Sequence, residues 1–452
     1  MSRTEDGDAA GQTHVRRGPI ARAIRNAGWL LGGKGVGGLF SLVYLSLAAR
    51  SLGVERFGEF ALVLSYGQVL TNLVQFQSWQ TVIRYGARHL AEARADRLQR
   101  VLVFATLLDL GASVAGAVLA GTGVLLVGGM LDWTGEERRL AALFGLALVF
   151  GLRGAPTGIL RLLDRFDLAA CTETVLPTVR LIGALVVWWL GASVGGLLLV
   201  WAAAELAATL AMWIAAWHEL RRRGLHTGAV LTPRGVAGEN PGLWHFAWAT
   251  KFSSSISALW YRLLVLGVGW IAGPAAAGGY RIAVQLAGAL EKPIVSLARS
   301  IYPEFARLAV YGHEALAPVL RRSVLIGAGA GLGTVLLMVV AGKLALQAIG
   351  GASYTFAYPF LVLLSVAVAA DLCGFSLEPA MLAMGRSGAI LAVRAGMGLV
   401  YLGLMYVLLQ TRGAIGGALA AVIAALLVLA CLAWLAWSVA GARARANAAP
   451  AG

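Results

Sequence analysis

Residues 48 to 68 read AARSLGVERFGEFALVLSYGQ, and residues 270 to 288 read WIAGPAAAGGYRIAVQLAG. Each segment contains a glycine, four intervening residues, a second glycine, and then an aromatic residue that begins a new apolar run. The corresponding residues are Gly53 and Gly273, Gly58 and Gly278, and Phe60 and Tyr280. A spacing of about 220 residues that recurs in this way indicates an internal duplication. We therefore expect two similarly folded halves.

Other features recur at nearly the same spacing. Arg88 is matched by Arg307, and Pro156 in APTGIL is matched by Pro379 in EPAMLA. The segment GASVGG at residues 191–196 is matched by RGAIGG at residues 412–417. The duplication therefore extends over most of each half.

The composition is that of an integral membrane protein. Hydrophobic residues make up 59% and charged residues 13% of the 452 residues, and the mean hydropathy is +0.76. A soluble domain is far more polar than this. The apolar segments are about 20 residues or longer, enough to cross about 30 Å of hydrocarbon as helices. The short alternating strands of a membrane barrel are not seen in the sequence.

Polar breaks divide the chain into twelve predicted transmembrane helices. They cover residues 29–50, 57–83, 101–128, 140–160, 169–190, 195–217, 244–271, 276–301, 323–346, 355–380, 388–409 and 414–438. Arginines are concentrated in the N-terminal tail and after every second helix, as in IRYGARHLAEARADRLQR and HELRRRG. Because cytoplasmic loops carry the excess of basic residues, both termini are predicted to be cytoplasmic. The net charge of +15 is thereby explained without nucleic acid.

An even number of helices in each half means that both halves enter the membrane from the same side. They are then parallel repeats around an axis along the membrane normal, and such repeats enclose a central cavity. The predicted parts are a cytoplasmic tail at 1–25, an N-terminal lobe at 26–217, a cytoplasmic linker at 218–243, a C-terminal lobe at 244–440 and a second tail at 441–452. The tail before the first apolar segment has no cleavage site of a signal peptide.

Charged residues inside the predicted helices are candidates for substrate binding. A charge at the bilayer centre costs about 2.5–3.5 kcal/mol, so each needs a partner or a function. The candidates are Lys34, Arg84, Lys251, Arg262, Arg281, Glu291 and Lys292. The functional interpretation is that the cations face the central cavity and bind an anion. The alternative for Lys34 and Lys251 is that they reach the headgroups from the cytoplasmic ends of their helices.

Other charges indicate a structural role. Opposite charges occur on neighbouring predicted helices, and we expect them to pair within each lobe. They are Arg153, Glu173, Arg180 and Glu205 in the first lobe, and Asp371, Glu378 and Arg394 in the second. Asp109, Asp371 or Glu378 could instead couple transport to protons, and the sequence selects none of them.

No enzymatic motif is present. The chain lacks a GxxxxGK[ST] phosphate loop and an HExxH motif. Cys171, Cys373 and Cys431 lie far apart in apolar segments, so we expect neither a zinc site nor a disulfide. The sequence predicts no catalytic residue, metal or cofactor.

Three motifs resemble the polysaccharide and oligosaccharide flippase family of the multidrug, oligosaccharidyl-lipid and polysaccharide exporter superfamily. They are LGVERFGEF, IRYGARHLAEARADRLQR after the second helix and GILRLLDRFDLAA after the fourth. The similarity runs from about residue 20 to residue 440. It implies two lobes in a V around a central cavity, and a substrate made of a polyprenyl pyrophosphate that carries sugars. It also implies the bacterial cytoplasmic (inner) membrane, with a polysaccharide polymerase and glycosyltransferases as partners.

Two other functions are open from the sequence. An ion-coupled multidrug antiporter of the same fold would use carboxylates that face the cavity. A membrane glycan polymerase or ligase would need outward-facing acids or a large outer loop, and the predicted outer loops are short.

Overall fold

The computed structural model describes residues 19–225, 233–289, 313–384 and 386–448, and within these ranges it is helical without strands. Thirteen α-helices are defined. They are α1 (Pro19–Val74), α2 (Ser78–Ala91), α3 (Ala95–Met130), α4 (Gly135–Val149), α5 (Gly154–Leu162), α6 (Phe166–Leu190), α7 (Val194–Arg222), α8 (Val236–Glu239), α9 (Leu243–Ala287), α10 (His313–Gly350), α11 (Tyr358–Gly374), α12 (Leu377–Ala383) and α13 (Ser387–Ala448). A short 3-10 helix at Ala352–Ala357 joins α10 to α11.

Two of the longest helices are bent at the duplicated glycines. Gly53 interrupts α1 with φ 74° and ψ 178°, and Gly273 interrupts α9 with φ 82° and ψ 172°. Only glycine adopts this backbone region without strain. The repeated sequence therefore specifies the same turn twice. A third glycine, Gly413, bends α13 with φ 59°.

Nine stretches of the described residues are long and apolar enough to cross a membrane. The predicted all-α integral membrane fold is confirmed. Three of the stretches, Gly37–Ala91, Arg262–Ala287 and Gly388–Ser438, contain one of the bends. The bends lie where the sequence predicts outer turns. The count of twelve stays a prediction, because much of the predicted eighth helix lies outside the described residues.

Three predicted helices are interrupted, so their prediction as continuous segments was wrong. The breaks lie at residues 75–77, 150–153 and 375–376. Pro156 and Pro379 are each the third residue of the helix that follows a break. Proline lacks an N–H group and is tolerated in the first turn of a helix, where that group has no intrahelical partner. Both halves therefore restart a helix just before the matched proline.

The two halves of the chain meet along α1 and α9, which form the most extensive helix pair. Gly58 and Gly278 face each other there: a Cβ on Gly278 would lie 3.1 Å from the Gly58 Cα atom. A Cβ on Gly58 would collide with the carbonyl group of Pro274. Phe60 and Tyr280 are both fully buried beside this contact. The second duplicated glycine thus permits close approach of the backbones.

Ion pairs hold helices together within each half, as the sequence predicts. Glu205 on α7 is contacted by Arg153 and, at 2.8 Å, by Arg180 on α6. In the C-terminal half Arg394 pairs with Glu378 at 2.6 Å. Asp109 is buried and accepts hydrogen bonds from the Ser78 hydroxyl at 2.7 Å and the Ala155 amide at 3.0 Å. Glu205 and Asp109 therefore contact groups within the N-terminal half.

Candidate functional site at the contact between the halves

Two of the predicted substrate-binding arginines converge on one glutamine at the contact of the two halves. Gln68 lies on the second part of α1, whereas Arg262 and Arg281 lie on the two parts of α9. Nη1 of Arg262 is 3.5 Å from the Gln68 carbonyl oxygen, and Nη1 of Arg281 is 3.4 Å from the Gln68 side-chain oxygen. These are long, weak hydrogen bonds. Both guanidinium groups can therefore exchange this glutamine for a stronger acceptor.

The surroundings of this cluster are electropositive. Arg281 is within electrostatic range of Arg262 and Arg180. Glu205 is the carboxylate that acts on Arg262, but it is already bound by two other arginines. Within the described part of the chain, no carboxylate forms a salt bridge with Arg262 or Arg281. A partly buried cluster with unbalanced positive charge favours an anionic ligand that can accept several hydrogen bonds.

Lys251 lies near the start of α9 and is 5% exposed. Its Nζ atom donates to the carbonyl oxygens of Asn72 at 3.1 Å and Gln75 at 2.8 Å. These carbonyls lie at the C-terminal end of α1, and a cation at a helix C-terminus is favourable. The alternative that Lys251 reaches lipid headgroups is therefore wrong. Its side chain instead joins the two halves.

The other predicted site residues are placed differently or lie outside the described residues. Arg84 is exposed, with its guanidinium carbon 4.4 Å from the centre of the Phe246 ring. It does not reach the arginine cluster. The backbone of Lys34 is helical within α1, and its side chain lies outside the described part. Glu291 and Lys292 also lie outside the described residues.

The predicted outer end of the contact is closed by Arg50. Its side chain donates to the carbonyl oxygens of Gln347 at 3.0 Å, Ala348 at 2.6 Å and Ile349 at 3.3 Å, which end α10. The Ser46 hydroxyl adds a hydrogen bond of 2.8 Å to Ile349. A cation of the N-terminal half thus caps a helix of the C-terminal half here. At Lys251 the roles are exchanged, because a cation of the C-terminal half caps a helix of the N-terminal half.

The predicted cytoplasmic end is closed by polar contacts between α2, α3 and the segment before α9. The His89 ring nitrogen lies 2.9 Å from the Asn240 side-chain oxygen, and both residues are buried. Arg100 forms a salt bridge of 2.9 Å with Glu239. These contacts join the end of the linker to the N-terminal half. The halves themselves meet at this end through Lys251, and the arginine cluster lies between this contact and that of Arg50.

A separate small pocket of ≈ 70 Å³ lies inside the C-terminal half. Asp371, Arg394 and Tyr401 line it, together with apolar residues of α13. Among the described residues, no group of acidic, histidine or cysteine side chains could hold a metal ion. The three cysteines are free.

Comparison with known proteins gives the family. A sequence profile described as polysaccharide biosynthesis protein matches residues 23–309. The chain belongs to the polysaccharide biosynthesis protein family. A relative in this comparison is the inner membrane protein YghQ of Escherichia coli strain K12, 32% identical over 349 residues. The match covers 76% of this chain and 97% of YghQ. The resemblance inferred from the sequence motifs is thus confirmed.

Solved structures show the fold of this family member. The lipid II flippase MurJ in an inward closed conformation has a TM-score of 0.71 at 12% identity, over 92% of this chain and 87% of MurJ. An inward-facing multidrug transporter of the MATE family has a TM-score of 0.69 at 16% identity, over 91% and 96% of the two chains. A transporter from Pyrococcus furiosus, described as having reversed polarity of its binding pocket, has a TM-score of 0.59 at 18% identity, over 93% of this chain and 95% of that transporter. The fold is that of the predicted exporter superfamily.

Gln68 was not predicted from the sequence as a partner of the arginines. It ends the opening segment, one helical turn before Asn72, inside a predicted membrane helix. A polar side chain in such a helix needs a partner, and this is the signal that could have found it.

Proposed function

We propose that the protein is a flippase for a polyprenyl-pyrophosphate-linked oligosaccharide. It moves this lipid from the inner to the outer leaflet of the bacterial cytoplasmic membrane during synthesis of a surface polysaccharide. The proposed parts are the lobes at 26–217 and 244–440, joined by the linker at 218–243, with both termini in the cytoplasm. The single observation that carries the proposal is the pair of arginines held on Gln68 between the halves.

A diphosphate fits this pair chemically. Guanidinium groups bind phosphate oxygens in a bidentate manner through charge-assisted hydrogen bonds. Because Arg262 and Arg281 come from different parts of α9, they can approach one diphosphate from two directions. The weak bonds to Gln68 cost little to replace. Desolvation of the diphosphate is then offset by cations already placed in the protein.

The contacts at the two ends suit alternating access. A substrate enters from one side and leaves at the other only if the contacts at Lys251 and Arg50 break at different times. Each contact adds a few hydrogen bonds to the end of a helix of the other half, and these can break and form again as the halves move. Lys34, Glu291 and Lys292 are retained as proposed contributors, and Arg84 is proposed to contact the substrate during entry at the cytoplasmic side.

The test is transport by the purified protein in vesicles. The substrate is a fluorescent polyprenyl diphosphate oligosaccharide, and its apparent affinity is taken from the concentration dependence of transport. We expect Arg262→Gln combined with Arg281→Gln to lower this affinity by about 100-fold or more, since each charge-assisted bond contributes about 1.5–3 kcal/mol. The matched control is Arg412→Gln, an exposed arginine beside the bend in α13. It removes a charge outside the site and should transport normally.

Two outcomes would contradict the proposal. One is normal transport of the glycolipid by the double variant in correctly folded form. The other is transport of cationic drugs, but not the glycolipid, by the unmodified protein, which would favour the antiporter. In cells, loss of function should cause the lipid-linked precursor to accumulate on the cytoplasmic side.

A further inference from the structure

A groove of ≈ 330 Å³ lies on the surface of the N-terminal half, away from the arginine cluster. It runs between α5 and the C-terminal part of α7. Five apolar side chains line it: Ile159, Trp213, Ile214, Trp217 and Leu220. The volume falls at the lower end of the range of about 300–1,000 Å³ typical of small-molecule sites.

The walls of the groove are fixed. The Trp213 indole N–H donates to the Leu152 carbonyl oxygen at 2.8 Å, where the chain breaks before α5. Ile159 at the base is 2% exposed, whereas Trp217 is 48% exposed. Because one indole is held by a hydrogen bond and the base is packed, the groove is preformed. An apolar chain that enters it does not have to reorganise the protein.

A cation lies at the end of the groove. The Arg221 guanidinium carbon is 3.9 Å from the centre of the Trp217 ring. The two residues are four positions apart on one helix, a spacing that brings side chains together. Arg223 is already bound by Glu219 at 2.8 Å and donates to the Leu163 carbonyl oxygen. Arg221 forms no ion pair with any carboxylate in the described ranges, so its charge is available to an outside anion.

We propose that this groove binds an anionic glycerophospholipid, with one acyl chain between Trp213 and Trp217 and the phosphate at Arg221. The apolar lining matches the chain, and the adjacent cation matches the headgroup. The arginine distribution places this end of α7 at the cytoplasmic leaflet, whose anionic lipids attract basic residues at about 1 kcal/mol each. The lipid would brace the break at residues 150–153. This site is independent of the transported substrate.

The test measures lipid retention by the full-length protein. Native mass spectrometry of the detergent-solubilised protein would be used to titrate phosphatidylglycerol and, separately, phosphatidylcholine. One basic contact contributes about 1 kcal/mol, so Arg221→Gln should weaken phosphatidylglycerol binding by about fivefold. It should weaken phosphatidylcholine binding by less, because the choline cation of that lipid balances the charge of its phosphate. The matched control is Arg222→Gln, which removes the same charge from the neighbouring exposed position and should have less than half this effect.

The groove itself is tested with Trp217→Ala, which should reduce retention of both lipids because it removes one wall. Trp437→Ala, at a position 75% exposed on α13, is the control and should leave retention unchanged. Equal losses in Arg221→Gln and Arg222→Gln would show general attraction by the basic segment and overturn the site. Unchanged retention in Trp217→Ala would overturn it as well.

Discussion

The contact at Arg50 allows a quantitative prediction about the equilibrium between closed and open outer ends. Arg50→Gln removes the cation that caps the end of α10 and weakens its hydrogen bonds to three carbonyl oxygens. Arg50 is exposed, and an exposed cation at a helix C-terminus contributes about 0.3–1 kcal/mol. Since each 1.4 kcal/mol changes an equilibrium constant about tenfold, the open population should rise by about two- to fivefold.

The assay is cysteine labelling from the outside of the membrane. Ala49→Cys would be introduced into a protein in which Cys171, Cys373 and Cys431 are serine. Ala49 is fully buried, and its carbonyl oxygen lies 3.5 Å from the Tyr354 hydroxyl of the other half. A membrane-impermeant maleimide reaches this position only when the halves separate, so its labelling rate follows the open population.

Arg56→Gln is the matched control, because Arg56 is an exposed arginine just beyond the bend at Gly53. A surface substitution away from special contacts changes stability by at most about 0.5 kcal/mol, so the control should label at nearly the unmodified rate. If Arg50→Gln labels no faster than this control, the Arg50 cap does not hold the outer end closed.

Three further predictions concern other contacts. Gly58→Leu should hold the outer end open, because the side chain would collide with the Pro274 carbonyl group. Labelling of Ala49→Cys should then increase. The control Gly111→Ala, at a position with open space, should not change the labelling. Lys251→Gln should open the cytoplasmic end and increase labelling of Ala247→Cys, at a buried position on α9, from the inside, and an unchanged rate would contradict the capping role. Glu205→Gln should destabilise the fold by about 3–5 kcal/mol, since it leaves Arg153 and Arg180 without their carboxylate. The thermal unfolding temperature in detergent should therefore fall. The control Glu136→Gln, at an exposed position, should leave the unfolding temperature unchanged.

Much of the fold could be predicted because its signals are local. A glycine between two apolar runs marks a turn, and Gly53 and Gly273 were predicted at turns because this pattern occurs twice. Both have a positive φ angle in the structure. The breaks before Pro156 and Pro379 were missed because the residues around them are as apolar as a continuous membrane helix. Hydropathy reports whether a segment lies in the membrane and is insensitive to a short interruption of its hydrogen bonds.

The site could be predicted only in part because contacts between distant residues depend on helix rotation. The arginines were found as costly intramembrane charges, but nothing in the sequence places Arg262 and Arg281 on the same glutamine. The environment of Lys251 was missed for a related reason. Its partners are the backbone carbonyls of Asn72 and Gln75, and these are available only because the helix breaks after them.

The caps made by Arg50 and Lys251 have a consequence for how the protein can change during evolution. Their acceptors are main-chain oxygens, which every amino acid possesses, so substitutions of Gln347, Ala348, Asn72 or Gln75 leave the acceptors in place. The basic residue and the position at which the opposing helix stops are constrained, whereas the identities of the residues at that stop are free to drift. Related chains should therefore tolerate substitutions at these helix ends and be sensitive to insertions or deletions that move them.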